Sequence, residues 1–540
     1  IRIRNTFNPN HEGSVIAQRS DLSTPVKGLT TIGGMALVSV EGAGMIGVPG
    51  TAERVFGALH RAGVSVVMIS QGSSEHSICC VVDEGIAGRA VAVLEDAFAR
   101  ELERGQIQSV GATGGISVLA AVGDGMAGTP GVAARLFDAL ARSRINVRAI
   151  AQGASERNIS VAVASADAAR ALRAVHAGFY LSAQTISIGV VGPGQVGRAL
   201  IGQLHAVQGR LLREANLDLR VRGIATGRRM LLDERGIDLS TWQQRFDEQA
   251  VPTDMDAFTA HVRSAYLPHA AILDCSASGN VADHYPRWLE AGIHVVTPNK
   301  QAGSGPRERY RAIRAGTAAG TRFRYEATVG AGLPIIQTLR DLIDTGDEIH
   351  AVEGILSGTL AYLFNKYDGI RPFSAILDEA RVAGYTEPDP RDDISGTDVA
   401  RKLVILGREM GLDLALEQVV VESLVPESLR DVTREEFIAR AAALDAPMQA
   451  RFDAARARGM VLRYVARLDR DGRARVGLTE VDPQHAFAHI RLTDNIVQFT
   501  TKRYAANPLV VQGPGAGPEV TAAGVFSDLL RVAASLGARI

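Results

Sequence analysis

The chain has 540 residues with an almost balanced charge, 58 Lys and Arg against 59 Asp and Glu, and 46% hydrophobic residues. At roughly 150 residues per domain, this predicts three to four packed globular domains. The balance argues against a nucleic-acid partner, and the sequence lacks the apolar run of about 18 residues that a membrane helix needs. Three cysteines, of which Cys79 and Cys80 are adjacent, argue against a disulfide framework, so we expect a reducing, cytoplasmic location.

Two segments near the N-terminus repeat each other at a constant offset. Residues 44–82 begin GMIGVPG and residues 125–163 begin GMAGTPG, with Phe56 matching Phe137. Each copy has a β-rich run, a Gly-Pro loop, a helix with apolar residues three and four apart, and two alternating β-branched runs. This order predicts a small sheet with helices on one face.

The repeat has two interpretations. The simpler one is a structural or oligomerisation module. The alternative is a ligand sensor, because a side-chain amide, Gln71 or Gln152, follows Ile69 or Ile150 at the end of a predicted strand. An amide both donates and accepts hydrogen bonds, which suits a zwitterionic amino acid.

The IxQGxSE stretch, which ends at Glu75 and Glu156, resembles the ACT regulatory domains of aspartokinases, and the resemblance covers roughly residues 15–180. It implies tandem ACT (βαββαβ) domains at 35–110 and 111–183, after residues 1–34 as the end of a kinase domain or linker. It also implies threonine as the effector, with Gln71, Gln152, Ile69 and Ile150 at its sites. The sequence contains no kinase-type phosphate loop, and it starts without an initiator Met or signal peptide.

A glycine-rich turn follows a short β-branched run at residues 186–191 and precedes a helical pattern. This strand, turn and helix order predicts dinucleotide binding, because the glycines let the backbone approach a pyrophosphate and the helix N-terminus offers N–H groups. The alternative is a tight structural turn. The predicted cofactor residues here are Gly192, Gly194, Gln195, Val196 and Gly197.

The second strand, residues 217–225, ends at Ala225 and leads into Thr226-Gly227-Arg228-Arg229. An NAD-specific fold often carries an acid at this position to hold the ribose hydroxyl. Here two arginines replace it, so the sequence favours NADP, with NAD as the alternative. Both arginines facing solvent is the simpler interpretation.

Two later strands end in loops that carry Ser276 and Lys300, and ligands of open α/β sheets lie beyond such strand ends. We expect both residues near the nicotinamide half of the coenzyme. Cys275 is expected to be a small core residue, because no partner base stands beside it in the sequence.

The densest polar block lies between Glu387 and Lys402. Prolines exclude a helix at its start, and a helix is expected from Ser395, which is a candidate cap. Asp398 and Lys402 then share one face. An ordinary surface ion pair would explain them. Alternatively, the lysine acts as a general acid toward a carbonyl oxygen that receives hydride, and Glu387 binds a substrate ammonium.

The segments TPNK, EATVGAGLP, ILSGTL, GYTEPDPRDD and DVARK resemble homoserine dehydrogenase over residues 185–540. The resemblance implies Lys402 as proton donor, Lys300 as a second catalytic or cofactor lysine, and Glu387 and Asp398 as substrate ligands supported by Asp393. It also implies a monovalent cation such as sodium at the glycine-rich turn 329–334. The residues of this turn alone leave open whether it binds a cation or is only a turn. The cation residues would be Glu326, Val329, Ala331 and Leu333, and further coenzyme contacts would come from Gly384 and Gly517.

The fold class expected from both resemblances is α/β and α+β. A Rossmann-type domain would occupy 184–325, an α+β catalytic and dimerisation domain 326–507, and a return to the nucleotide-binding domain 508–540. The implied reaction is the reduction of aspartate 4-semialdehyde to homoserine. The resemblance also implies a homodimer or homotetramer, and a chain that is part of a bifunctional aspartokinase/homoserine dehydrogenase.

Three alternatives stay open. A 2-hydroxy-acid oxidoreductase would need a catalytic histidine, yet none lies between His350 and His485. The others are a sensor without catalysis and a related fusion that does not respond to threonine.

Overall fold

A computed structural model describes residues 2–3, 14–15, 25–72, 76–180, 184–264, 267–538 and 540. It forms two compact units, one up to Ala183 and one made of Gln184–Ser264 with His269–Ile540. Glu75 of the first repeat and most of residues 1–24 lie outside the described residues. No helix in the described ranges has the length and apolar character that a membrane span requires.

The first unit contains two βαββα repeats. Its strands are β1 (Arg2–Ile3), β2 (Ser14–Val15), β3 (Gly28–Glu41), β4 (Met68–Gln71), β5 (Ser77–Asp83), β6 (Ser109–Val122), β7 (Val147–Gln152) and β8 (Asn158–Ala164). Its helices are α1 (Thr51–Arg61), α2 (Ala87–Ala97), α3 (Ala99–Glu103), α4 (Val132–Arg142) and α5 (Ala168–Tyr180).

The two repeats are interleaved through the long antiparallel strands β3 and β6. The six-stranded sheet has the order β4-β5-β3-β6-β8-β7. The second half of β3 pairs with β5, whereas its first half pairs only with the second half of β6, which in turn pairs with β8. Leu29 accordingly packs into the core of the second repeat. The start of β3 therefore completes the second repeat, a nesting that the linear boundaries 35–110 and 111–183 do not express.

The nucleotide-binding half of the second unit is a parallel sheet with an antiparallel hairpin at one edge. Its strands are β9 (Gln184–Val191), β10 (Leu217–Ala225), β11 (Arg229–Leu232), β12 (Val251–Pro252), β13 (His269–Asp274), β14 (Ile293–Val296) and β15 (Phe323–Arg324). Its helices are α6 (Gln195–Ala215), α7 (Trp242–Gln249), α8 (Met255–Val262), α9 (Gly279–Ala282), α10 (Tyr285–Glu290), α11 (Lys300–Ser304) and α12 (Arg307–Gly316).

The strand order β12-β11-β10-β9-β13-β14-β15 puts the first parallel strand, β9, between β10 and β13. The connection after β9 leads to β10 on one side, and the connection after β13 leads to β14 on the other side. The two connections leave a crevice between them at the carboxyl ends of the strands. The glycine-rich turn and the loops after β13 and β14 all lie at this edge.

The remainder of the second unit packs helices on a mixed sheet of order β17-β19-β18-β16-β20-β21. The strands are β16 (Ile349–Ile355), β17 (Val420–Val421), β18 (Val461–Asp469), β19 (Ala474–Val481), β20 (Asp494–Thr501) and β21 (Leu509–Pro514). The helices are α13 (Ile335–Asp344), α14 (Gly358–Lys366), α15 (Phe373–Val382), α16 (Pro390–Ile394), α17 (Thr397–Glu409), α18 (Arg434–Ala439), α19 (Asp445–Ala457) and α20 (Pro518–Ser535).

Two helices connect these parts to the site. The C-terminal helix α20 buries Val525 and Leu529 in the same hydrophobic core as α6 and β9. Helix α17 buries Val399 and Leu403, each of which contributes about 1.5–3 kcal/mol to stability. This burial holds α17 rigidly between the nucleotide-binding half and the mixed sheet.

Candidate active site

A cluster of two lysines and one aspartate is the centre of the candidate site. Lys402 Nζ lies 2.9 Å from Asp398 Oδ2, and Lys300 Nζ lies 3.0 Å from Asp398 Oδ1. Asp398 and Lys402 are one turn apart on α17, whereas Lys300 begins α11 beyond the carboxyl end of β14. Lys402 also donates a 2.6 Å hydrogen bond to the carbonyl oxygen of Leu356. The side chain of Lys402 is 10% exposed, which does not fit an ordinary surface ion pair.

The electrostatics of the cluster favour proton transfer by Lys402. Burial lowers the pKa of Lys402, the Asp398 carboxylate opposes this effect, and the positive charge of Lys300 adds to it. Burial works against ionisation of Asp398, but the two lysines outweigh it and hold the pKa of this carboxyl far below its usual range. Asp398 is therefore an ionised carboxylate whose two oxygens each contact one of the lysine side chains.

The start of α17 differs from the sequence prediction. The helix begins at Thr397, its N-cap is Gly396 with φ 76°, and Ser395 is therefore not the cap. A separate short helix, α16, ends at Ile394, and the left-handed glycine between the two helices turns the chain. The Ser395 hydroxyl accepts a 3.2 Å hydrogen bond from Thr397 N.

Asp393 organises the exposed loop next to the cluster. Its carboxylate accepts a 2.7 Å hydrogen bond from Glu387 N and lies 2.8 Å from Thr359 Oγ1, which is also 2.6 Å from the carbonyl oxygen of Tyr385. Burial, together with the nearby charges of Glu387 and Asp398, raises the pKa of Asp393. The Glu387 side chain remains exposed. Sequence reasoning missed Thr359, although its motif SGT was visible.

The glycine-rich turn has the close packing that a dinucleotide site requires. A Cβ added to Gly192, which has φ 78°, would lie 2.8 Å from Ser276 N, and one added to Gly197 would lie 2.4 Å from Gly192 O. Gly194 caps α6 without a side-chain hydrogen bond, and no atom lies within 4 Å of the position of its missing Cβ. The turn therefore brings Ser276 beside the N-terminus of α6, with Gln195 and Val196 in its first turn.

The two arginines after Ala225 differ in their contacts. Arg229 donates hydrogen bonds to the carbonyl oxygens of Phe246, Asp247 and Ala250 at the end of α7. Arg228 is exposed. Of the two arginines, it is thus Arg229 whose guanidinium binds the end of α7.

Glu326 and the turn that follows it form a second buried polar centre. The Glu326 carboxylate accepts hydrogen bonds from the N–H groups of Ile336 and Gln337 at the start of α13. Burial, with the nearby carboxylate of Asp528, raises the pKa of Glu326 to about 7. Ala331 adopts φ 53°, and its carbonyl oxygen approaches Gly524 of α20.

The two coenzyme glycines carried over from the resemblance lie in turns whose positive φ values favour glycine. Gly384 has φ 74° and is exposed just after α15, and Gly517 has φ 118° immediately before α20. The loop before Gly517 packs on the start of α14, since a Cβ added to Gly358 would lie 3.7 Å from Ala516 Cβ. Gly384 is next to Tyr385, which contacts Thr359.

The second repeat contains a cavity of about 330 Å³. It is lined by Gln152 and Glu156 together with the loop around Thr129, and Glu156 accepts a 2.7 Å hydrogen bond from Gly128 N. Ile150 lies on the strand that ends at Gln152 and is about half-exposed, as is Ile69 of the first repeat. Gln71 ends β4, at the position that matches Gln152.

The fold and the site define a Rossmann-type oxidoreductase joined to a pair of ACT domains. An ACT domain model matches residues 38–98 and 119–179. A model described as homoserine dehydrogenase, NAD binding domain, matches residues 192–326, and a homoserine dehydrogenase model matches residues 334–530. The chain belongs to the homoserine dehydrogenase family.

Relatives extend this result to both units. The chain is 50% identical over 547 residues to the bifunctional aspartokinase/homoserine dehydrogenase 2, chloroplastic, of Zea mays, covering 100% of the chain and 60% of that protein. It is 41% identical over 532 residues to the bifunctional enzyme of Haemophilus influenzae, covering 98% and 65%. A crystal structure of a homoserine dehydrogenase from Thiobacillus denitrificans has a TM-score of 0.50 and 25% identity, covering 66% of the chain and 76% of that structure. The chain corresponds to the C-terminal part of the bifunctional relatives.

Proposed function

We propose that this chain reduces L-aspartate 4-semialdehyde to L-homoserine with NAD(P)H, and that its parent protein also phosphorylates aspartate with ATP through a kinase domain outside this chain. The observation that carries the proposal is the Lys300–Asp398–Lys402 cluster beside the coenzyme crevice. The bound coenzyme would supply the hydride.

Lys402 is the proton donor in this proposal. As hydride adds to the aldehyde carbon, negative charge develops on its oxygen, and the Lys402 ammonium transfers a proton to that oxygen. The lowered pKa of Lys402 favours the transfer. Asp398 holds the ammonium in place through one oxygen and Lys300 through the other. In the reverse direction Lys402 must be neutral, so homoserine oxidation is expected to increase with pH.

Glu387 and Asp393 would hold the amino-acid part of the substrate. The exposed Glu387 carboxylate is available to the substrate ammonium, and Asp393 fixes the Glu387 backbone through its N–H group. Asp393 also contacts Thr359 at the start of α14 and so connects the substrate loop to this helix. The same helix begins just after Leu356, whose carbonyl oxygen accepts the hydrogen bond of Lys402.

We propose NADP as the coenzyme, because the exposed guanidinium of Arg228 follows the second strand where an acid would favour NAD. Arg229 contributes through the end of α7, which it holds beside this loop.

We also propose a monovalent cation such as sodium at Glu326 and the carbonyl oxygens of Val329, Ala331 and Leu333. Its donors are a buried carboxylate and backbone oxygens, a set that suits a hard cation. Burial and the Asp528 carboxylate raise the pKa of Glu326 although the Arg531 guanidinium lies 3.5 Å from it, and a bound cation would offset the negative charge of the two acids.

We propose threonine as the effector of the ACT pair, bound at Gln152 in the second repeat and at Gln71 in the first, with Ile150 and Ile69 beside them. The cavity beside Gln152 supports this assignment. We propose further that the protein is a homodimer or homotetramer. The cytoplasmic location stays a prediction, since the maize relative is named chloroplastic.

The test of the reaction is NADPH oxidation by this chain with aspartate 4-semialdehyde, with pyruvate as the control substrate. Turnover of the semialdehyde alone is expected. Turnover of pyruvate would favour a 2-hydroxy-acid oxidoreductase, and turnover of neither would favour a sensor without catalysis.

The test of the effector is the dehydrogenase rate with and without threonine in wild type, Gln152→Ala and the control Gln108→Ala, whose side chain is exposed just before β6. The threonine response should weaken only in Gln152→Ala. An unchanged response would remove Gln152 from the effector site.

A further inference from the structure

Asn299 connects the loop after β13 to the start of α11. It is 2% exposed. Its amide nitrogen donates hydrogen bonds to Asp274 Oδ2 at 3.0 Å and to the carbonyl oxygen of Ser278 at 2.9 Å. Its amide oxygen accepts a 3.0 Å hydrogen bond from Gln301 N, which caps α11. Because Lys300 is the first residue of that helix, Asn299 fixes the backbone from which Lys300 extends.

Asp274 is the fully buried anchor of the same network. Besides Asn299, it accepts a 2.8 Å hydrogen bond from Ser276 N and one from the Tyr285 hydroxyl. Its carbonyl oxygen accepts a 2.7 Å hydrogen bond from Thr297 Oγ1. The carboxylate therefore binds the coenzyme loop through Ser276 and the helix of Lys300 through Asn299.

Polar groups buried at this depth need hydrogen-bond partners, because an unpaired carboxylate or amide here is costly. Here every named donor has an acceptor, so the network is rigid. It joins two loops that arise from different strands and each carry one side chain of the site.

We propose that Asn299 and Asp274 are positioning residues that set the place of the Lys300 ammonium relative to Asp398 and Lys402 and hold the coenzyme loop in register with it. This inference rests on the proposed dehydrogenase function. It concerns residues that do not touch the reacting atoms and act only through Lys300 and Ser276.

The positive charge of Lys300 is one of the groups that lower the pKa of Lys402. The charged groups around Lys402 are Asp398 on its own helix, Lys300 from α11 and Asp393 from α16. If Lys300 moves away, Lys402 loses a positive neighbour and keeps more of the attraction of Asp398. Both changes raise the pKa of Lys402, so the rise of homoserine oxidation with pH should move to higher pH.

The experiment compares Asn299→Ser with Thr321→Val across a pH series of homoserine oxidation, with NADPH affinity measured by coenzyme fluorescence. Serine keeps a helix cap but loses both donations of the amide. Thr321 is a buried threonine of the same half, whose hydroxyl bonds only to Gly316 O among the described contacts. Asn299→Ser should shift the profile to higher pH, lower kcat/KM by about tenfold to a hundredfold, and weaken NADPH binding, whereas Thr321→Val should keep the wild-type profile.

A wild-type pH profile and NADPH affinity in folded Asn299→Ser would overturn the inference, and so would an equal shift in Thr321→Val. If Asn299→Ser does not fold, Asp274→Asn serves in its place, because its new N–H group faces the donors of Tyr285 and Asn299 and cannot accept their hydrogen bonds. The same shift of the pH profile to higher pH is then expected of Asp274→Asn. If wild type turns over no homoserine, the proposed function fails, and the affinity of both variants for NADPH still decides the positioning role.

Discussion

Replacement of Lys402 by methionine removes the proton donor while keeping the length of a buried side chain. Two contacts disappear, the 2.6 Å hydrogen bond to Leu356 O and the 2.9 Å pair with Asp398. Lys300 still neutralises Asp398 at 3.0 Å, so the carboxylate keeps a partner. We therefore expect Lys402→Met to fold and to keep the coenzyme crevice intact.

The expected magnitudes separate catalysis from stability. A positioned general acid contributes about 10²–10⁴-fold in rate, which corresponds to roughly 2.7–5.4 kcal/mol of barrier. An unsatisfied Leu356 carbonyl costs about 1–3 kcal/mol. Removing a buried ammonium group returns part of that cost, since its desolvation penalty disappears. The increase in the activation barrier should thus exceed the loss of folding free energy.

The assay is steady-state NADPH oxidation with aspartate 4-semialdehyde, combined with NADPH titration followed by fluorescence and with thermal unfolding. We expect kcat to fall at least about a hundredfold, with NADPH affinity changed less than about threefold. A kcat within tenfold of wild type, or a lost coenzyme affinity at normal kcat, would refute the role of Lys402.

Three further predictions concern Asp398, Arg228 and Glu326. Asp398→Asn removes the charge that raises the pKa of Lys402, so the pH dependence of homoserine oxidation should move to lower pH while kcat falls; a shift to higher pH would contradict the charge arrangement. Arg228→Ala should raise the KM for NADPH about tenfold and leave the KM for NADH unchanged, and equal changes for both would remove Arg228 from the coenzyme site. Because the pKa of Glu326 is raised to about 7, the folded protein binds more protons than the unfolded chain between about pH 4.5 and 7, and stability falls as pH rises through this window. Sodium chloride should therefore raise Tm above that of tetramethylammonium chloride mainly above pH 7, and Glu326→Gln should abolish the difference; equal effects of both salts in wild type would argue against a cation there.

The sequence predicts the fold well where its periodicity is strong. The strand 217–225 and the glycine turn at Gly192 lie where the pattern indicates, because alternating apolar residues and a glycine with a positive φ leave few alternatives. The helix of Lys402 is also recognised, yet its start is misplaced because Gly396, in the left-handed conformation, separates the short helix α16 from α17.

The contacts that depend on tertiary packing are not predictable from the sequence. Asp274 and Asn299 look like ordinary loop residues, and only the parallel pairing of β13 with β14 brings them within hydrogen-bond distance. Arg463 is a second case, because it lies in an arginine-rich segment and yet its guanidinium is buried and bonded to backbone carbonyl oxygens. Contacts between segments far apart in sequence decide both cases.

The central claim is that this chain delivers hydride to the aldehyde carbon of aspartate 4-semialdehyde while Lys402 supplies the proton. The most direct measurement is mass spectrometry of the product formed from NADPH that carries deuterium at both hydrogens of nicotinamide C4. Wild type should yield homoserine with one deuterium at the hydroxyl-bearing carbon, and Lys402→Met should yield the same product far more slowly. Homoserine without the label, or no homoserine from the wild-type chain, would contradict the account.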